Sequence, residues 1–336
     1  MNVLCVRLSA MGDVVQSLGA MAALAEAMPV ARLHVAVQRP FAPLLQGLPW
    51  VAGVFEHDRN AGLAGIRATG RRAREAGCDV ALDLQGNWKS ASVAWCSGAS
   101  RRIGVAGRWR QEPMSSMLLG ETVPVDGPRH PAACAMAVVH SLAPAARWRE
   151  PALVASEEEV GRAADAVRSA GLDPSRPFRV VLLADPEDPR SQRPGALRSE
   201  VARAELPVLL LAGPAEAAVV APTGTAVLRQ QKGDLRVLVG LGRLVERLGG
   251  DVVGGDQGPL HVLAACGTRT TGLFGPQDPL ETAPPAARVL AHPAPPSCMP
   301  CRARTCSHVQ GPVCTDFTTA SGRERLPPHW FGERMS

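Results

Sequence analysis

Apolar residues along this chain fall into short runs of two periods. Residues 2–8 are apolar and β-branched enough for a strand, and Val15, Leu18, Met21, Ala22, Ala25 and Met28 then recur at helical spacing. The pattern continues with strands at 31–37 and 51–58, a helix at 63–77 with an arginine-rich exposed face, and a strand at 78–85. A helix through 88–95 and a short strand at 101–107 follow, with helical patterns near 112–120 and 130–143. Such alternation predicts a parallel sheet with helices on both faces. A Pro- and Ala-rich stretch at 142–159 breaks the rhythm, which then restarts. A helix is expected at 157–170, strands at 178–185, 206–213 and near 225–230, and helices near 196–205 and at 237–249. A strand–loop–helix unit at 251–267 and a strand at 269–276 follow. The reading is therefore two α/β halves: a first domain over 1–150, a linker and start of the second half over 151–177, a second domain over 178–320, and an irregular tail over 321–336.

Composition narrows the function classes. At 336 residues, 46% hydrophobic and 20% charged, the chain can bury a substantial core and is not disordered. Its formal charge of +5 comes almost wholly from arginine, with lysine at Lys89 and Lys232 alone and no tyrosine. A dense basic stripe with stacking aromatics is missing, so nucleic acid is discounted as a partner. The first apolar run holds Arg7, is broken by Gly12 and Asp13, and has no basic region ahead of it, which does not suit a secretory signal. A cytoplasmic protein is expected.

Two turns concentrate the candidate chemistry. Asp13 stands where the first strand gives way to a helix, either as a cap that complements the helix dipole or as a group at the sheet's ligand-binding end. In DVVGGDQGPLHVLAACG (251–267), a glycine-wrapped loop leads into a helix starting near Pro259, an arrangement that aims backbone N–H groups at a phosphate. His261 lies one turn inside; it is either a ligand contact or a packed core histidine. Neither a dinucleotide-binding glycine fingerprint nor a P-loop occurs, nor a Gly-x-Ser-x-Gly elbow nor a His-Glu-x-x-His zinc motif.

Four segments, VRLSAMGDVVQSLGAMAAL, DVALDLQGNWKSASVA, RRIGVAGRWRQEP and VVGGDQGPLHVLAACGTRTTGLFGPQDP, resemble in sequence and order the motifs of the glycosyltransferase family 9 heptosyltransferases. The resemblance implies the GT-B fold, an α/β architecture of two Rossmann-like domains facing each other across a cleft. It further implies inverting, metal-independent transfer of heptose from ADP-heptose, a nucleotide-sugar donor, to a lipid-linked lipopolysaccharide core acceptor at the inner membrane. In this comparison Asp13 takes the general-base position. Asp256, Gln257, Gly258 and His261 face the donor, with Glu216 a candidate for its ribose. Gly12, Gln85, Gly86, Lys89, Arg110 and Glu112 fall where the family meets its acceptor. One departure stands out: the loop at 184–195 reads ADPEDPRSQRPG, with three acids where the family usually carries a phosphate-gripping lysine, leaving Arg190 or Arg193 as substitutes. The alternatives are a family member acting on another sugar or surface glycan, and one that binds glycolipid or nucleotide without efficient turnover.

No cofactor is expected for catalysis. Cys298, Cys301, Cys306 and Cys314 follow a Cys-x₂-Cys-x₄-Cys-x₇-Cys spacing, which suits a structural zinc or, less readily, an iron–sulfur cluster; the alternative is four free thiols. Cysteine-rich segments of this kind also occur in part of the resembling family.

Overall fold

The computed structural model describes residues 1–183, 204–213, 224–230, 234–292, 294–303, 305–315 and 321–323. The chain divides into two compact units, the first spanning Met1–Ala152 and the second beginning at Leu153. The loop at 184–195 with Arg190 and Arg193, most of the helix expected near 196–205, Glu216, and most of the tail lie outside the described residues.

In the first unit, strands β1 (Asn2–Val6), β2 (Arg32–Gln38), β3 (Val51–His57), β4 (Cys78–Asp83), β5 (Arg101–Val105) and β6 (Glu121–Val123) form one sheet in the order β3-β2-β1-β4-β5-β6, parallel throughout. Helices α1 (Met11–Ala27), α2 (Gly62–Glu75) and α3 (Trp88–Cys96) run between the strands, and α4 (Pro131–Leu142) follows β6. A parallel sheet covered on both faces needs near-continuous apolar strands, and β1 and β2 are buried along almost their whole length. Helix α1 packs on α4, and Gly19 lets it approach Trp148, because a Cβ there would lie 2.6 Å from the indole. On the other face, α2 turns Ile66, Thr69 and Ala73 inward and its arginines outward, and it joins Leu4, Val6, Ala36, Ala81 and Val93 in one cluster.

The second unit repeats this order. Strands β7 (Arg179–Leu182), β8 (Val208–Ala212), β9 (Ala226–Arg229), β10 (Asp251–Gly255), β11 (Arg269–Phe274) and β12 (Arg288–Ala291) are parallel, and β13 (Ser321–Arg323) adds an antiparallel edge, giving β13-β12-β11-β10-β7-β8-β9. The helices are α5 (Glu157–Ser169), α6 (Leu235–Arg247), α7 (Gly258–Ala264) and α8 (Pro279–Thr282). Helix α5 begins at a reciprocal cap: Ser156 Oγ accepts from the Glu159 N–H, and Glu159 accepts from the Ser156 N–H. Arg236 of α6 then grips Glu159 at 2.6 Å, and its guanidinium with the cap holds that carboxyl down at about 2. Each unit thus has the Rossmann strand order, and two such units in tandem make the GT-B fold expected from the sequence.

Three local differences from the expected elements have simple causes. Residues 113–118 wind as a 3₁₀ segment, because Pro113 starts a turn too short for a helix. Strands β6 and β12 are three and four residues long, below what a period-two pattern can reveal.

Candidate functional site

In an open parallel sheet, ligands bind at the carboxyl ends of the strands, where strand order reverses. That reversal lies between β1 and β4 in the first unit, and between β7 and β10 in the second. In the first unit it brings together the loop entering α1 and the loop entering α3.

Asp13 sits in the first turn of α1, with its side chain 31% exposed. The Arg7 guanidinium, buried just past the end of β1, meets Asp13 Oδ2 at 2.6 Å, and the Ala10 N–H donates to the same oxygen at 3.3 Å. Both contacts fall on Oδ2, and among the described residues Oδ1 has no partner. Arg7 also donates to the Leu84 carbonyl at 2.5 Å, which links the two loops. A second link comes from Gln85: its Oε1 accepts from the Leu8 N–H at 2.8 Å and the Ser9 N–H at 3.3 Å. Sequence reading placed Asp13 and Gln85 separately and missed Arg7 as their connector. The available signal was a charged residue inside an otherwise apolar, buried run, which requires a partner.

Beneath these loops lies a buried ion pair. Asp83 closes β4 with no exposure; its Oδ1 accepts from the N–H groups of Gln85 (3.1 Å) and Gly86 (3.0 Å), and its Oδ2 meets Arg110 at 2.5 Å. Arg110 donates further to Ser115 Oγ and to the Val105 carbonyl. The guanidinium read from the sequence as facing an acceptor is therefore turned inward, 1% exposed, and fixes the loop backbone. Gly86 has φ +82°, and a Cβ there would stand 3.2 Å from Arg110 Cα, so only glycine fits. Glu112 accepts from the Trp88 N–H at 2.5 Å, capping α3, while Lys89 is exposed. Gly12, Asp13, Gln85 and Gly86 thus gather at one mouth, with Lys89 and Glu112 at its edge.

In the second unit, β10 ends at Gly255, and Asp256 and Gln257 lead into α7, with Pro259 in its first turn. Gly254 packs against β7: a Cβ there would be 2.6 Å from Leu182. His261 is 5% exposed, and its Nε2 lies 3.3 Å from Asp256 Oδ1. The imidazole therefore braces the loop from below, while the amides at the start of α7 remain the groups able to meet an anion. In the neighbouring turn, Asp278 caps α8 by accepting from the Leu280 N–H at 3.0 Å.

The zinc expectation is overturned. Among the described residues, no group of three or more His, Cys, Asp and Glu side chains could hold a metal ion. Cys298, Cys301 and Cys306 are free and exposed, whereas Cys314 is free and buried. Cys314 lies in the 3₁₀ turn Val313–Thr315 against Gly275, and burial, helped by the neighbouring thiols, pushes it up to about 11. A tetrahedral zinc site needs four thiolates about 2.3 Å from one centre. Cys314 is packed into the unit, whereas the other three cysteines lie on the segment that Arg302 ties to Glu281 at 2.9 Å.

The sequence profile of glycosyltransferase family 9 (heptosyltransferase) matches residues 66–181 and 196–310, more than half of the chain. No curated protein matches. Among solved structures, the chain is similar to a family 9 glycosyltransferase from Veillonella parvula, with a TM-score of 0.73 at 18% identity over 86% of this chain and 85% of that one. It is also similar to the ADP-heptose LPS heptosyltransferase II of E. coli (TM-score 0.65, 23% identity, 87% and 91% covered). The E. coli heptosyltransferase WaaC, solved with ADP, aligns at 0.63 with 20% identity over 86% and 90%. At these identities the likeness is one of fold.

Proposed function

The chain belongs to glycosyltransferase family 9, and from that premise we propose that it transfers heptose from ADP-heptose to a lipopolysaccharide core acceptor at the cytoplasmic face of the inner membrane. Asp13 is the general base. As the acceptor hydroxyl attacks the anomeric carbon from the face opposite ADP, its proton passes to Asp13 Oδ1, the new C–O bond forms, and the bond to the departing phosphate oxygen breaks with its electron pair leaving on ADP. This inverts the anomeric centre. Arg7 holds Oδ2 and aims the carboxylate while the other oxygen works. Gly12, Gln85, Gly86, Lys89 and Glu112 receive the acceptor, with Lys89 offering charge to its anionic groups. Arg110 supports the same surface from beneath, through Asp83.

On the donor side, the amides of Gln257 and Gly258 take the diphosphate, with Asp256 and His261 ordering their loop. Glu216 and Arg193 complete the donor set, for the ribose and the phosphates respectively. The observation that carries the reading is the half-exposed carboxylate at the switch point, with one oxygen anchored by a buried arginine and the other open. A second reading, a member that binds nucleotide or glycolipid with little turnover, is favoured by the acids of the 184–195 loop. Incubation with ADP-heptose and detergent-dispersed core acceptor tests both. ADP release matched by a gain of one heptosyl residue supports transfer, release without acceptor gain favours a defective member, and transfer only from another nucleotide sugar moves the assignment within the family.

A further inference from the structure

Large apolar side chains that stay exposed on a unit with a well-filled core call for an explanation. Four gather beside the first mouth. Trp88 and Trp95 stand seven residues apart on α3, hence on one face, and are 43% and 58% exposed. Helix α3 packs on the 3₁₀ segment Pro113–Leu118, whose Met114 and Met117, one turn apart, are 62% and 70% exposed. The hydrogen bond from the Trp88 N–H to Glu112 ties the start of α3 to the start of that segment, so the two apolar rows adjoin.

The border of this patch is basic. Arg74 of α2 donates to the Cys96 carbonyl at the end of α3, and the charges of Arg67 and Arg74 both act on the Cys96 thiol. Arg67, Arg74 and Lys89 are exposed. The acids nearby are already engaged: Glu75 pairs with Arg71, and Glu112 caps α3. The asymmetry extends to the whole unit. Residues 1–152 hold sixteen Lys and Arg against eleven Asp and Glu, so this unit carries all of the chain's +5 charge.

Tryptophan and methionine set in a basic border match the interface of an anionic bilayer, where indoles lie at headgroup depth and arginines meet lipid phosphates. We propose that the α3 face and the 113–118 segment dock the first unit onto an anionic membrane surface. Resting on the proposed function, this places the mouth holding Asp13 and Gln85 next to the bilayer, so that a lipid-anchored acceptor reaches the base without leaving the membrane. No helix among the described residues is long and apolar enough to cross a membrane, so the contact is with the surface.

The test is sedimentation of the full-length protein with vesicles of phosphatidylcholine alone and of phosphatidylcholine with phosphatidylglycerol. Wild type should bind the anionic vesicles and release them in high salt. W95S/M117S should bind at least tenfold more weakly, and Arg67→Gln about fivefold more weakly, with circular dichroism unchanged. Equal binding by wild type and both variants, equal binding to neutral vesicles, or no binding at all would overturn the proposal. So would a wild-type dimer in solution that W95S/M117S dissociates, since the patch would then serve self-association. Transfer to an acceptor lacking its lipid separates this idea from the function it rests on. The double variant should keep that activity while losing activity on vesicle-embedded acceptor. Absence of transfer by wild type in both formats would strike the proposed function and leave vesicle binding as an independent result.

Discussion

Replacing Arg110 with glutamine tests whether the first mouth is built on the buried Asp83–Arg110 pair. Arg110 makes three contacts, to Asp83, Ser115 and the Val105 carbonyl, and the Asp83 carboxylate has no exposure. Glutamine is shorter and uncharged, and can keep one of the three. Asp83 would then stay buried without its cation, with only the two amides of Gln85 and Gly86 as donors. Removing one partner of such a pair costs about 3–5 kcal/mol. In a unit of this size that corresponds to a fall in Tm of roughly 10 °C. Thermal unfolding followed by tryptophan fluorescence measures it, and D83N/R110Q supplies the cross-check. With the stranded charge gone, the double variant should lose about 2 kcal/mol less than the two single losses added together. A melting point for R110Q within about 1 °C of wild type, or strictly additive losses, would refute the reasoning, because the pair would then not hold the loop.

His261→Ala should weaken ADP binding roughly tenfold in calorimetry without unfolding the chain, because Asp256 loses the ring that braces its loop; equal affinity would reduce His261 to core packing. His34 is buried on β2, stacks on Phe55 with centroids 5.3 Å apart, and among the described residues neither ring nitrogen has a hydrogen-bond partner. Burial, and then the charge of Arg32, hold its pKa below the ordinary 6.5, so the unfolded chain takes the proton first. That stability is present above pH 6.5 and is lost as the pH falls below it. His34→Leu should flatten the decline in denaturation midpoint between pH 7.5 and 5.5, and parallel curves would contradict this.

The sequence carried the architecture because buried parallel strands and amphipathic helices are long-range periodic signals: β1, α1, β4, α5 and β10 all lie where hydrophobic spacing puts them. Asp13 was legible for the same reason, being the polar residue at a strand-to-helix junction. What stayed hidden depends on contacts between distant positions. Arg7 reaches Leu84 and Arg110 reaches Asp83, and no local period records either pair. Arg110 was therefore read as a surface cation, although the same arginine can lie buried when a carboxylate waits 27 residues upstream. The cysteines failed in the opposite direction. Their spacing invited a metal, but spacing does not reveal that Cys314 is packed against Gly275 while the other three are exposed.

Asp13→Asn is the most direct test of the proposed chemistry. The amide keeps the size of the side chain and removes its ability to take a proton, so transfer from ADP-heptose should fall by roughly 10²–10⁴-fold. Because Arg7 loses its counter-charge, the melting point should be followed in the same samples, and calorimetry should show ADP binding unchanged. Lost turnover with intact fold and donor affinity is the result expected of a general base. Turnover at the wild-type rate would contradict the account and return Asp13 to the role of a helix cap.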